Sequence, residues 1–181
     1  LPAKFREFMK SFLIDILDKI DKEIIDEKVL KFANAVPTLN VIDIAKNTSI
    51  KFISRKGDIN YYPKDRQPFS IVCGTPAQVK AGINYNDILK KFGLNKKVEP
   101  ILHSQKIKWV YLRENEFGLD CMALKADGND PKQILDFIDT NVDRQTMYEK
   151  ELKGKLETFY EVMKWEFPSE SKKTAAQFFD F

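Results

Sequence analysis

Apolar residues in the opening stretch recur at steps of three and four. Phe5, Phe8, Met9, Phe12, Leu13, Ile16, Leu17 and Ile20 do so with charges between them, which predicts an amphipathic helix, and Pro2 suits its first turn. After the charged break Asp21-Lys22-Glu23, a second set of Ile24, Ile25, Val29, Leu30 and Phe32 runs on towards Pro37. Residues 2–35 therefore read as an antiparallel helix pair or one bent helix. Over residues 49–72 the pattern shortens to two β-like runs, Ile50-Lys51-Phe52-Ile53 and Phe69-Ser70-Ile71-Val72. The loop between them holds Gly57, Asp58, Asn60, Pro63 and Pro68.

Residues 84–92 predict a short helix closed by Gly93 in the left-handed conformation. Ile107-Lys108-Trp109-Val110-Tyr111-Leu112 is the clearest strand, and residues 120–124 pair with it across a turn around Asn115 to Gly118. Pro131 opens a helix through Ile138. The longest late helix is expected over residues 144–165, with Met147, Leu152, Leu156, Phe159, Tyr160 and Met163 on its apolar side. No 20- to 50-residue period repeats, which excludes solenoids and propellers. The expected class is α+β: a helical base built from residues 3–35 and 142–166, carrying a small β-containing tip over about 49–124.

Composition narrows the chemistry. The 181 residues are 43% hydrophobic and 31% charged, enough apolar material for a packed core and against wholesale disorder. No run of about 18 apolar residues occurs, so no membrane helix is expected. Cys73 and Cys121, with His103 as the single histidine, are too few for a disulfide framework or a structural zinc site, and point to a reducing, intracellular setting. The opening at Leu1 rather than Met suggests a trimmed chain or a piece of a longer one.

Catalytic constellations are missing: there is no G-x-S-x-G, no phosphate-loop motif and no H-E-x-x-H. Asp127-Gly128-Asn129-Asp130 lacks the ligand spacing of a calcium loop and reads as a turn into Pro131. His103 reads as a surface or packing residue, and Cys73 and Cys121 as inert small hydrophobes. An acidic pair such as Asp120 and Asp127 is a poor enzyme centre, since no activated nucleophile accompanies it. The cations are more informative. Lys80, Lys90, Lys91, Lys96, Lys97, Lys106 and Lys108 fall in one central stretch, and Lys150, Lys153 and Lys155 sit together late in the chain. Such cations on one surface neutralise phosphates, and a solvated charged face is the plainer alternative.

Four segments carry a resemblance. Thr75-Pro76-Ala77-Gln78-Val79-Lys80-Ala81-Gly82-Ile83-Asn84-Tyr85-Asn86, with Ile88-Leu89-Lys90-Lys91-Phe92-Gly93-Leu94, resembles the thumb of family B replicative DNA polymerases of T-even-type bacteriophages. Gln105-Lys106-Ile107-Lys108-Trp109-Val110-Tyr111-Leu112-Arg113-Glu114 is similar to the strand that follows there. Tyr148-Glu149-Lys150 with Lys155-Leu156 and Trp165 is similar to the last thumb helix. Lys172-Lys173-Thr174-Ala175-Ala176-Gln177-Phe178-Phe179-Asp180-Phe181 resembles the terminal tail that docks on the sliding clamp. The Pro-led opening, residues 2–10, also matches the start of the thumb. The chain departs from the family at Gln78 and Lys80, where a His and an Arg are common, and its loop over residues 47–67 is longer.

The resemblance implies a thumb-like domain over residues 1–168 and a flexible clamp-binding tail over 169–181. It implies a grip on the primer-template duplex behind the active site, with two-metal nucleotidyl transfer, and its Mg2+, in the palm of the complete polymerase. No cofactor and no catalytic residue are expected in this segment, which should be inactive alone. Implied partners are duplex primer-template DNA, the palm and the sliding clamp, with no membrane, in the cytoplasm of an infected bacterial cell. Lys80, Lys90, Lys106, Lys150 and Lys155 are the expected phosphate contacts. Tyr85 and Asn86 are expected at backbone or sugar, with packing an equal alternative for Tyr85. Gly82 is expected either to let the duplex approach or to mark a turn or helix start. Gln177, Phe178, Phe179 and Phe181 are the expected clamp anchors. The competing expectation is a stand-alone module that binds DNA and tethers it to the clamp without a polymerase attached.

Overall fold

The computed structural model describes residues 1–51 and 75–169. The expected strand over Phe69 to Val72, the end of the run at Phe52-Ile53, Cys73, the basic loop and the tail residues Gln177, Phe178, Phe179 and Phe181 lie outside the described residues. The chain divides into two compact units: Leu1–Ile44 with Arg144–Phe181, and Ala45–Asp143.

The first unit is helical. Helix α1 (Ala3–Leu17) buries Phe5, Phe8, Met9 and Phe12, one stripe at the expected spacing. Helix α2 (Lys22–Ala35) buries Ile25 and Val29. Phe8 stacks on Phe32 with ring centroids 4.0 Å apart, while Lys28 donates to Ser11 Oγ at 2.6 Å and pairs with Asp15. Later residues of α1 thus meet earlier residues of α2, and the antiparallel pair is the arrangement adopted. A 3-10 turn (Val36–Thr38) and the short α3 (Val41–Ile44) follow.

The late helix joins the same unit in three pieces: α6 (Arg144–Tyr148), a π-helical turn (Glu149–Lys153) and α7 (Gly154–Val162). The wider turn was not read from the sequence. Its signal is the five-residue step from Met147 to Leu152, both fully buried, which one π turn absorbs while Leu156 and Tyr160 keep the following steps of four. Phe159, expected on the apolar side, is 36% exposed. Tyr160 stacks on Phe12 and donates its hydroxyl hydrogen to Asp26 Oδ1 at 2.7 Å. Both ends of the chain therefore share one core, as the expected helical base requires. Burying each such aromatic contributes about 1.5–3 kcal/mol.

The second unit is an α+β layer. Strands β1 (Lys46–Ser49), β2 (Lys106–Tyr111) and β3 (Cys121–Lys125) form an antiparallel sheet in that order. The unit runs from Ala45 to Asp143, wider than the expected 49–124, because β1 starts at Lys46 and α5 (Lys132–Asn141) belongs to it. Asn115 makes the β2–β3 turn: its Oδ1 accepts the N–H groups of Phe117 and Leu119, its Nδ2 donates to the Leu119 carbonyl at 2.7 Å, and Gly118 takes φ +63°. The Asp127 loop is a turn as expected, with Asn129 N–H on Asp127 Oδ1 at 3.1 Å.

Helix α4 (Ala77–Lys91) starts seven residues earlier than its apolar pattern indicated, directly after Pro76. Gly82 lies buried inside this helix, which corrects the expectation of a turn or helix start there. The helix packs on β3: Asn84 Nδ2 donates to the Cys121 carbonyl at 2.7 Å, and Cys121 Sγ lies 3.4 Å from the Ala77 carbonyl oxygen. The end at Gly93 follows the sequence reading, with φ +66° and Leu94 N–H on the Leu89 carbonyl at 2.8 Å.

Candidate nucleic-acid interface

The seven candidate contact residues divide between the two units. In the second unit, Lys80 on α4 pairs with Asp120 at 3.1 Å and Lys90 pairs with Asp87 at 3.6 Å. Lys106, on β2, is exposed, and among the described residues it makes no ion pair. Tyr85 is fully buried, which is the packing role. Its hydroxyl makes no hydrogen bond of ordinary geometry, and burial first, then the nearby Asp130 carboxylate, push its pKa well up. Asn86 holds a loop: Nδ2 donates to the Ile101 carbonyl at 3.0 Å and Oδ1 accepts the Ile101 N–H at 2.7 Å. Both ends of its amide are thereby engaged with backbone.

In the first unit, Lys150 sits exposed on the π turn, and Lys155 donates from Nζ to the Glu151 carbonyl at 2.8 Å. That bond satisfies a carbonyl of the widened turn, where the regular ladder is interrupted. Glu151 itself is buried.

The sheet register places further polar residues beside Lys106. Ser49 lies directly opposite Lys106, and Asn47 directly opposite Lys108, so these four share one face of the β1–β2 pair. On its other side Lys108 faces Leu124, which is buried. Lys108 is accordingly half-buried, an arrangement in which the stem covers apolar surface and the ammonium reaches water. Neither strand contains an acidic residue. Sequence reading named Lys106 and Lys108 among the central lysines, and of this group only Lys106 as an expected phosphate contact. Asn47 and Ser49 became visible only through the pairing of two strands separated by more than fifty residues.

Charge within this unit is segregated along the chain. Residues 75–112 carry seven lysines against Asp87 and Glu99, whereas residues 113–143 carry eight carboxylates against Arg113, Lys125 and Lys132. Among the described residues no group of three or more His, Cys, Asp or Glu is placed to hold a metal ion, and no helix is long and apolar enough to cross a membrane. The Cys121 thiol is raised by burial first and by Asp120 second, the setting of an unreactive thiol. His103 is exposed.

A second surface feature lies at the α1–α2 elbow of the first unit. Ile14, Leu17, Ile20 and Ile24 are 55, 78, 37 and 57% exposed, an aliphatic group left open to solvent. No family model matches the chain, and no curated protein matches it.

Proposed function

We propose that this chain is the thumb part of a DNA polymerase, gripping the primer-template duplex through its phosphates and docking on a sliding clamp through its tail. It works in the cytoplasm of an infected bacterial cell and is inactive alone, with Mg2+ chemistry supplied by the palm of the complete enzyme. The observation that carries the reading is the charge segregation of the second unit. Holding duplex of any sequence takes cations without base readers, and residues 75–112 are rich in them. The exposed elbow at Ile14, Leu17, Ile20 and Ile24 supports the palm as a further partner.

Fluorescence anisotropy of a primer-template duplex, titrated with the full chain at several salt concentrations, tests the reading. The expected result is affinity that falls linearly in log-log form with salt and is indifferent to sequence. Absence of salt-dependent binding, combined with failure to restore synthesis when the catalytic part of a T-even-type polymerase is added, overturns it.

A further inference from the structure

We propose that the β1–β2 face bearing Asn47, Ser49, Lys106 and Lys108 is a phosphate rail that holds two successive phosphodiesters of one strand of a DNA duplex. The inference rests on the duplex-gripping reading and assigns that grip a place. Lys106 and Lys108 are two residues apart on a strand, so they project from the same face about 6.7 Å from one another along it. That spacing is of the order of the separation between neighbouring phosphates on one nucleic-acid strand. Each lysine has a small neutral side chain directly opposite it on β1, Ser49 for Lys106 and Asn47 for Lys108, within about 5 Å between Cβ atoms. The hydroxyl and the amide each donate one hydrogen bond to a phosphate oxygen already attracted by the cation. Two cations meet two diester charges, and neither strand contributes a carboxylate to compete.

The lysines of the rail also differ from those of α4. Lys80 and Lys90 must leave Asp120 and Asp87 before meeting a phosphate, whereas Lys106 and Lys108 have no ion pair among the described residues. Lys108 is half-buried with Leu124 directly opposite it, and partial burial restricts a side chain before the ligand arrives, which lowers the ordering cost. Among the described residues β1 pairs on one side only, with β2, so the duplex reaches the face without displacing a described strand. Nothing in the group reads a base edge, in keeping with binding that ignores sequence.

The test is the same anisotropy titration with Lys106→Ala, Lys108→Ala and the double variant, beside a control double variant, Lys10→Ala/Lys31→Ala, that removes two exposed lysines of the first unit. Each rail substitution is expected to flatten the log-log salt slope by about 0.9 and the double by about twice that, while Lys106→Arg/Lys108→Arg keeps the slope. Ser49→Ala and Asn47→Ala lower affinity a few-fold at unchanged slope, because they remove neutral donors. A rail double variant that melts like the parent and keeps the parent's slope, or a control that loses as much as the rail, overturns the rail while the thumb reading stands. Tighter binding of an RNA duplex of the same sequence also overturns it. A parent chain without any salt-dependent binding removes the reading beneath it.

Discussion

Lys80, on α4, and Asp120, the residue before β3, form an ion pair at 3.1 Å although forty positions separate them. Partial burial works to raise the Asp120 carboxyl, but hydrogen bonds from the Cys121 thiol and the Lys80 ammonium, with the charge of Lys80, outweigh it and hold the pKa below the ordinary value. A depressed carboxylate contributes stability that is present above its unfolded pKa and is lost as pH falls through the folded one. With the Asp120 side chain 65% exposed, that contribution is at most about 1 kcal/mol. Asp120→Asn is therefore expected to cost less than about 1 kcal/mol in urea unfolding near neutral pH, and nothing below the carboxylate range. On the thumb reading it also releases Lys80 from Asp120 and strengthens duplex binding several-fold; unchanged binding would show that Lys80 meets no phosphate.

Asp130 behaves in the opposite sense. Burial, the largest influence, raises its pKa against the nearby Tyr85 hydroxyl and the hydrogen bond from the Lys125 N–H. Its ionised form is penalised on folding, so the destabilisation is complete above the folded pKa and fades as pH falls towards the unfolded value. Asp130→Asn keeps an acceptor for Lys125 and is expected to raise the melting temperature at pH 7, with the gain gone near pH 3. An equal gain at both pH values would assign the effect to packing rather than charge.

Asn86 binds the Ile101 backbone at both ends of its amide. Asn86→Ala leaves an N–H and a carbonyl without these partners and is expected to cost about 1–3 kcal/mol in chemical denaturation. Duplex affinity measured under conditions where the variant remains folded should stay within two-fold of the parent. A ten-fold loss in the folded variant would instead restore Asn86 as a direct contact.

Two helices end alike without the glycine that usually serves. Lys19 after α1 takes φ +54°, with Ile20 N–H on the Asp15 carbonyl at 3.0 Å, and Lys164 after α7 takes φ +58°, with Trp165 N–H on the Tyr160 carbonyl at 2.8 Å. The left-handed conformation costs an ordinary residue about 1–2 kcal/mol, part of which glycine gives back as lost unfolded-state freedom. Lys19→Gly and Lys164→Gly are each expected to stabilise by about 0.5–1 kcal/mol, read as an upward shift of the urea midpoint at constant slope. A drop in midpoint at Lys164→Gly would mean that its side chain does more for the fold than its backbone conformation costs.

Local chemistry was legible wherever the decisive contacts are a few residues apart. The stripe of Phe5, Phe8, Met9 and Phe12, the Gly93 closure, the Asn115 turn and the Asp127 turn all follow from side-chain period or turn preference within one segment. The α+β class followed from the same signals, as did a helical base drawing on both ends of the chain. The start of α4 was hidden, because Gly82, a poor helix former, interrupts the apolar pattern inside the helix. The left-handed lysines were hidden too, since nothing about Lys19 or Lys164 marks them until Ile20 and Trp165 return to the preceding turn. For the candidate interface, composition alone identified a lysine-rich stretch. Which lysines are tied to carboxylates, and that Asn47 and Ser49 stand opposite Lys108 and Lys106, depended on residues distant in sequence meeting across a helix-sheet contact and a strand pair. Period and turn chemistry are properties of neighbours along the chain; ion pairing and register belong to neighbours in space, and only the packed structure brings those together.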